Sequence, residues 1–311
     1  MTKSPLIPMF GEIVGDPRIK PVLEGAPKVA LSPVGRIVDE ELSLITDQKP
    51  MIEVKDWIVM PDHIHFIVFV KCKLGRHLGC ELAVFKKTCT QRVHFLLHPE
   101  ASQQNSIGNK VSVFEQNYND TIALRNGQID TMKQYIANNP RRRAIIREYP
   151  DFFTRHISIK TSTQNFIGFG NTFLLHIPNK VAVKVRSFWT DEEFQSKKQE
   201  WLKAVKNGAI LISPFYSRRE KEVKDAALAL GGSVIIMRNI GFPDKFKPSG
   251  REFDLCSEGR LLLLAEHDAP LYRKQLERSD ALRLNDHCVM LARIDSSAME
   301  ISVRRLGYGQ K

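Results

Sequence analysis

The pattern of apolar and polar positions divides the chain into two regions with different rhythms. In the first, two apolar runs rich in β-branched and aromatic residues, Ile52–Val59 and His63–Val70, flank a proline-containing turn and predict a pair of strands. The spacing over Leu78–Leu97 predicts an amphipathic helix. A strand-like run follows at Val111–Phe114, and a second helix is predicted over Asn126–Asn139, ending before a proline. This order of elements indicates a small α+β domain.

After about residue 160 the pattern changes to an alternation of strands and helices. The predicted strands are Phe173–Ile177, Val181–Val185, Ala209–Ser213, Ser233–Arg238 and Arg260–Glu266, and the predicted helices are Asp191–Asn207, Arg218–Leu230 and Arg278–Leu291. Such alternation is typical of a Rossmann-like parallel sheet. The fold class is therefore an α+β domain over residues 1–158, followed by an α/β, Rossmann-like parallel-sheet domain over 165–311, with a boundary between 155 and 170.

Composition and charge narrow the function classes. The chain has 311 residues, of which 42% are hydrophobic and 26% charged, so it can bury two cores, and the disordered and collagen-like classes are excluded. The formal net charge is +11. An excess of this size favours a polyanionic partner, most often nucleic acid, although many basic proteins bind none.

Cysteine usage and hydropathy indicate a location. The five cysteines are scattered without a Cys-x-x-Cys pair, so neither a disulfide framework nor a thiolate zinc site is predicted, and a reducing cytosol is expected. No apolar run approaches the roughly 18–20 residues that a membrane span requires. We expect a protein of the bacterial cytosol or nucleoid with no membrane partner. The sequence is compatible with a homodimer.

Two histidines occupy alternate positions of a predicted strand. The period of two places His63 and His65 on one face and Ile64 on the other. Two imidazoles on one side of a strand make half of a divalent-metal site. A pair of surface or hydrogen-bonded histidines is the commoner explanation of a bare His-x-His.

A tyrosine and an asparagine occupy positions i and i+4 of the later helix. Tyr135 and Asn139 therefore share a face, where a phenol could act as nucleophile and an amide oxygen as a metal ligand. An interfacial tyrosine before a helix-ending Asn-Pro is the alternative.

Taken together and in order, these pieces resemble a known family. The segments are Trp57–Phe66 with Pro-Asp-His-Ile-His, the helix with Phe85-Lys86-Lys87, Phe114–Asp120, and Tyr135–Pro140. They resemble the REP-associated tyrosine transposases of the single-tyrosine HUH transposase superfamily, over about residues 10 to 146. The resemblance implies a ferredoxin/RRM-like HUH domain.

The resemblance also implies a chemistry. His63, His65 and Asn139 are expected to bind one Mg²⁺ or Mn²⁺, and Tyr135 to attack a phosphate of single-stranded or hairpin DNA, forming a 5′-phosphotyrosine. The basic residues expected to neutralise DNA phosphates are Lys86, Lys87, Arg141, Arg142 and Arg143. A solvated helix face is the alternative for these charges.

One departure from the family pattern yields the competing hypothesis. Family members open with a central strand, whereas only nine residues with two prolines precede Phe10, so the first strand is expected to be truncated. The alternative to an active DNA-cleaving enzyme is a catalytically dead or domesticated transposase that binds single-stranded DNA.

The second region carries a candidate ligand loop. A predicted strand is followed by a short loop and the start of a helix, whose free backbone N–H groups could bind an anion. The side chains that could add contacts are Ser213, Ser217, Arg218 and Arg219. An N-cap with exposed arginines is equally compatible. The elements from about 170 to 293 resemble the Rossmann-like domain of the DNA-processing protein A (Smf) family, but the family's glycine-rich loop is replaced here, so the ligand's identity does not carry over.

Overall fold

The computed structural model describes residues 8–99, 112–244, 246–272, 275–294 and 299–304. They divide into two compact units, unit 1 up to Arg147 and unit 2 from Glu148. The division falls earlier than the predicted boundary of 155–170. The reason is a strand at Arg155–Lys160, which pairs with Asn165–Gly170 and so belongs to the sheet of unit 2.

Unit 1 consists of two β-hairpins and three helices. In chain order they are β1 (Gly11–Val14), β2 (Lys28–Leu31), α1 (Pro33–Gln48), β3 (Ile52–Val59), β4 (Ile64–Val70), α2 (Leu78–Leu97) and α3 (Gln128–Glu148). The predicted strand pair and amphipathic helix are confirmed almost to the residue. The strand-like run is not a strand: Phe114 makes a single bridge within an irregular segment, and Val111 lies outside the described residues.

The prediction that the tyrosine helix ends before its proline is wrong. Helix α3 continues through Pro140 to Glu148. A proline inside a helix removes one backbone hydrogen bond and crowds the preceding turn. Burial of Pro140, Ala144 and Ile145 in the continuing helix offsets that cost.

The core of unit 1 lies between α1, α2 and one face of β3 and β4. Its buried members include Phe10, Val38, Leu42, Cys89 and Phe114. Strand β3 pairs antiparallel with β4, and β1 with β2, as two separate two-stranded sheets. The ferredoxin-like arrangement stays a prediction, because no strand among the described residues lies on the second edge of β4; residues 1–7, where the truncated strand was expected, lie outside them.

Unit 2 is built on a seven-stranded mixed sheet. Its elements are β5 (Arg155–Lys160), β6 (Asn165–Gly170), β7 (Lys180–Ala182), α4 (Asp191–Lys206), β8 (Ile210–Ser213), α5 (Arg218–Ala229), β9 (Val234–Arg238), α6 (Arg251–Ser257), β10 (Leu261–Glu266), α7 (Arg278–Arg293) and β11 (Glu300–Arg304). The strand order is β11-β5-β6-β10-β9-β8-β7.

The parallel half of this sheet follows the predicted alternation. Strands β7, β8, β9 and β10 are mutually parallel, and their residues form near-continuous apolar runs because both faces are covered. The antiparallel strands β5, β6 and β11 were missed, which makes the sheet mixed instead of wholly parallel. The predicted strand Phe173–Ile177 is wrong: Thr172–His176 form a 3₁₀ turn capped by the side chain of Asn171.

No helix within the described residues is long and apolar enough to cross a bilayer.

Candidate functional site

The two histidines lie together at the start of β4. The turn from β3 into β4 is closed by a backbone hydrogen bond from Met60 N to His63 O, at 2.8 Å. It brings Nε2 of His63 within 3.1 Å of Nε2 of His65, with the two rings edge to face. Both side chains are half-buried, and the separation of the two Nε2 atoms is also that of a hydrogen bond between the rings.

The separation of these nitrogens suits a shared cation. Two nitrogen ligands at right angles around an ion with bonds of about 2.1 Å lie about 3.0 Å apart. Among the described residues, however, no three His, Cys, Asp or Glu side chains are grouped to hold a metal. A site here therefore needs a donor of another type, such as an amide oxygen, or ligands from the substrate and water.

Helix α3 places the tyrosine beside this pair. The rings of Tyr135 and His65 meet edge to face with centroids 5.6 Å apart, and Tyr135 is 41% exposed. The guanidinium of Arg142, two turns further along the helix, lies 5.7 Å from the centroid of the Tyr135 ring. The tyrosine thus stands between an imidazole and a cation while its side chain remains open to solvent.

Asn139 lies one turn after Tyr135, as the spacing predicts. It is buried, at 7% exposure, and its Nδ2 atom has no hydrogen-bond partner. A buried amide nitrogen without a partner costs free energy, so structure alone does not account for this residue. The atom without a partner is the amide nitrogen, which donates hydrogen bonds, so it suits an acceptor such as a phosphate oxygen; a cation would be bound by the amide oxygen instead.

The sequence reasoning missed Asp62. Its Oδ1 accepts a hydrogen bond from His63 Nδ1 at 2.6 Å and another from an Arg143 guanidinium nitrogen at 2.5 Å. Burial alone would raise the pKa of Asp62, but the bonds from His63 and Arg143 outweigh it and hold that pKa well below its usual range. The signal was in the sequence, because a carboxylate directly precedes the first histidine of the pair.

The predicted DNA-binding cations fall into two groups. Lys86 donates to the backbone carbonyls of three successive residues, 115–117, and burial lowers the pKa of its ammonium. Arg141 donates to Pro17 O at 3.0 Å, and Arg143 pairs with Asp62. Lys87 is exposed. Lys86 is thus a structural clamp, Lys87 is open to a phosphate, and Arg142 lies over the ring of Tyr135.

The candidate ligand loop of unit 2 is mostly engaged by the protein itself. Ser217 and Glu220 form a capping box at the start of α5, in which each side chain accepts a hydrogen bond from the other residue's backbone N–H. Ser213 is fully buried and accepts from Phe215 N, while Arg219 pairs with Asp191. Of the four predicted residues, Ser217 and Arg218 are exposed, and Ser217 is engaged in the capping box.

Comparison of the chain with protein-family models, with curated proteins and with solved structures gives no match in any of the three. The relationship to the REP-associated tyrosine transposases therefore stays a prediction, based on the ordered motifs. The same holds for the likeness of unit 2 to the DNA-processing protein A domain.

Proposed function

We propose that unit 1 cleaves and rejoins single-stranded DNA through Tyr135, as in DNA-mediated transposition. The observation that carries this proposal is the exposed phenol of Tyr135 set against His65, whose Nε2 faces that of His63. The exposed phenol is accessible to substrate, as a nucleophile must be.

The chemistry of the donors indicates how a cation would be held. His63 and His65 supply two imidazole nitrogens, and Asn139 would add an amide oxygen. Mg²⁺ or Mn²⁺ bound there would polarise the scissile phosphate and stabilise its developing charge. The three side chains come from two elements, β4 with its preceding turn and α3, so the position of the helix decides whether the set is complete.

The phenol performs the bond exchange. The Oη atom of Tyr135 forms a bond to phosphorus as the bond from phosphorus to the 3′ oxygen breaks. The phenol proton leaves to solvent, and the released 3′ oxygen gains a proton. Because one phosphodiester-type bond replaces another, a second 3′-hydroxyl can reverse the exchange without a nucleotide cofactor.

Two positively charged side chains of unit 1 suit the phosphates of single-stranded DNA. Arg142 lies over the ring of Tyr135, and Lys87 is exposed on α2. Both can neutralise phosphates flanking the scissile one. We further propose that unit 2 binds single-stranded DNA through the exposed Arg218. Unchanged oligonucleotide affinity in Arg218→Ala would contradict this.

A denaturing gel tests the proposal. The protein is incubated with Mn²⁺ and a library of single-stranded hairpin oligonucleotides with randomised loops and flanks, labelled at the 3′ end. We expect a covalent protein–DNA band that is lost in Tyr135→Phe and on addition of EDTA. Tyr118→Phe, a comparably exposed tyrosine at 40%, is the matched control and should retain the band.

One observation favours a second candidate, a single-stranded DNA-binding protein derived from a transposase without activity. Among the described residues, β4, which carries His65, pairs with β3 alone, so the histidines stand on a narrow sheet. Retained DNA binding without any covalent band would favour this candidate over the enzyme.

A further inference from the structure

Asp62 joins the histidine pair to the tyrosine helix through one oxygen atom. Its Oδ1 contacts Nδ1 of His63 in the β3–β4 turn and the guanidinium of Arg143 on α3. Arg143 lies eight residues after Tyr135, slightly more than two turns further along the same helix. A single carboxylate thus contacts both elements that carry the proposed chemistry.

The contact with His63 fixes which ring nitrogen carries a proton. Because a carboxylate only accepts, the 2.6 Å contact requires a hydrogen on Nδ1 of His63. In the neutral ring this leaves the lone pair on Nε2, the atom that faces His65. A carboxylate behind a histidine commonly orients metal-binding imidazoles in this way and raises their basicity.

The contact with Arg143 restrains the second half of α3. Pro140 removes a backbone hydrogen bond from the middle of this helix, between Tyr135 and Arg143. A helix weakened there bends more readily, and an anchor beyond the proline limits that bending. The side chain of Asp62 is 18% exposed and that of Arg143 39%, so the pair is shielded better than an ordinary surface ion pair.

We propose that Asp62 is a positioning residue that presents Nε2 of His63 for metal binding and, through Arg143, holds the tyrosine helix against the histidine pair. The inference rests on the proposed function for its role in catalysis. Its structural part, the tautomer of His63, is independent of any activity. No other described carboxylate contacts His63 or Arg143.

The test reads the tautomer directly. Protein labelled with ¹⁵N in its histidine rings is examined by NMR at pH 8, with the His63 signals assigned through His63→Gln. We expect His63 to carry its proton on Nδ1 in the parent protein, to switch to the commoner Nε2–H form in Asp62→Ala, and to keep Nδ1–H in Asp62→Asn, whose amide oxygen still accepts. Asp16→Ala, which breaks an exposed aspartate–arginine pair in the same unit, is the control and should change nothing.

Affinity for Mn²⁺, measured by electron paramagnetic resonance, is the second readout. Asp62→Ala should weaken Mn²⁺ binding about 10- to 100-fold, and Arg143→Gln should leave it within about 2-fold while slowing adduct formation. An unchanged tautomer in Asp62→Ala overturns the proposal, as does Nε2–H in the parent protein. Absence of a covalent adduct in the parent protein, with the tautomer switch observed, contradicts the proposed function and leaves the role of Asp62 in orienting His63 supported.

Discussion

The two units differ in how completely their strands are buried. In unit 2 the central strands are buried on both faces, with every residue from Leu261 to Ala265 fully buried. In unit 1 the corresponding strand, β4, is half-exposed along most of its length and has one strand partner among the described residues. The proposed chemistry lies in the unit that packs less completely.

The polar groups of the two candidate sites also differ in their hydrogen-bond partners. In unit 2, Ser217 and Glu220 form a capping box at the start of α5, and Arg219 is paired with Asp191. In unit 1, the Nε2 atoms of His63 and His65 contact each other, and Nδ2 of Asn139 is buried without a partner. A buried polar group without a protein partner calls for an explanation, and a bound molecule is one. Unit 2 has such atoms too, in Arg155, His156, Arg238 and Asn285, but none of them belongs to its candidate loop.

The largest expected effect concerns packing. Leu264→Ala in β10 should lower the free energy of unfolding of unit 2 by about 2–5 kcal/mol, because it opens a cavity in a close-packed core. Val68→Ala in half-exposed β4 should cost unit 1 about 1 kcal/mol or less. Hydrogen exchange on peptides from each strand measures both changes. Equal losses in the two units would remove the contrast.

The next effect separates two neighbouring lysines. Lys86→Met should destabilise unit 1 by about 1.5–3 kcal/mol, because three backbone carbonyls lose a charged donor. Lys87→Met should leave stability unchanged within about 0.5 kcal/mol and weaken single-stranded DNA binding. Urea unfolding and oligonucleotide titration check the pair. A loss of DNA affinity in both, without destabilisation, would return Lys86 to the DNA-binding group.

Replacing a buried asparagine by leucine should change the free energy of unfolding in opposite directions in the two units. Asn171→Leu in unit 2 should cost about 1–3 kcal/mol, since the side chain donates to Gly259 O and accepts from Phe173 N. Asn139→Leu in unit 1 should raise the free energy of unfolding by about 1 kcal/mol, because it removes a buried amide nitrogen without a partner, while abolishing the covalent band. Destabilisation by Asn139→Leu of the same size as by Asn171→Leu would make Asn139 a structural residue.

The smallest effect is a pH dependence of unit 2. Burial lowers the pKa of His156 and outweighs its hydrogen bond to Gly170 O. The unfolded chain, with a histidine pKa of about 6.5, then binds more protons than the folded one just below that pH. Stability should therefore fall as the pH drops below about 6.5. Thermal unfolding between pH 7.5 and 5 should show a weaker slope in His156→Gln; an identical slope would assign the dependence to other groups.

The sequence predicted local elements well and long-range pairing poorly. Hydrophobic periodicity was sufficient for β3, β4 and α2, since each depends on neighbours along the chain. It missed β11 and the pairing of β6 with β10, which join distant segments, and it also missed the local hairpin of β5 and β6. It also ended α3 at Pro140, because the tertiary burial that carries a helix past a proline has no local signature.

The candidate site was predicted in part for the same reason. The pairing of His63 with His65 follows from the period of two, and the shared face of Tyr135 and Asn139 from the helical period. The roles of Lys86 and Arg143 did not follow, because each depends on an acceptor that the fold brings from elsewhere, the carbonyls of 115–117 and Asp62.

Peptide mapping tests most directly whether Tyr135 makes the covalent bond to DNA. The protein–DNA adduct is digested with nuclease and trypsin and examined by mass spectrometry. Cleavage after Lys133 and Arg141 isolates a peptide with a single tyrosine, Tyr135. We expect a nucleotide attached through a phosphate to that tyrosine. A nucleotide on another residue, or an adduct that persists in Tyr135→Phe, would contradict it.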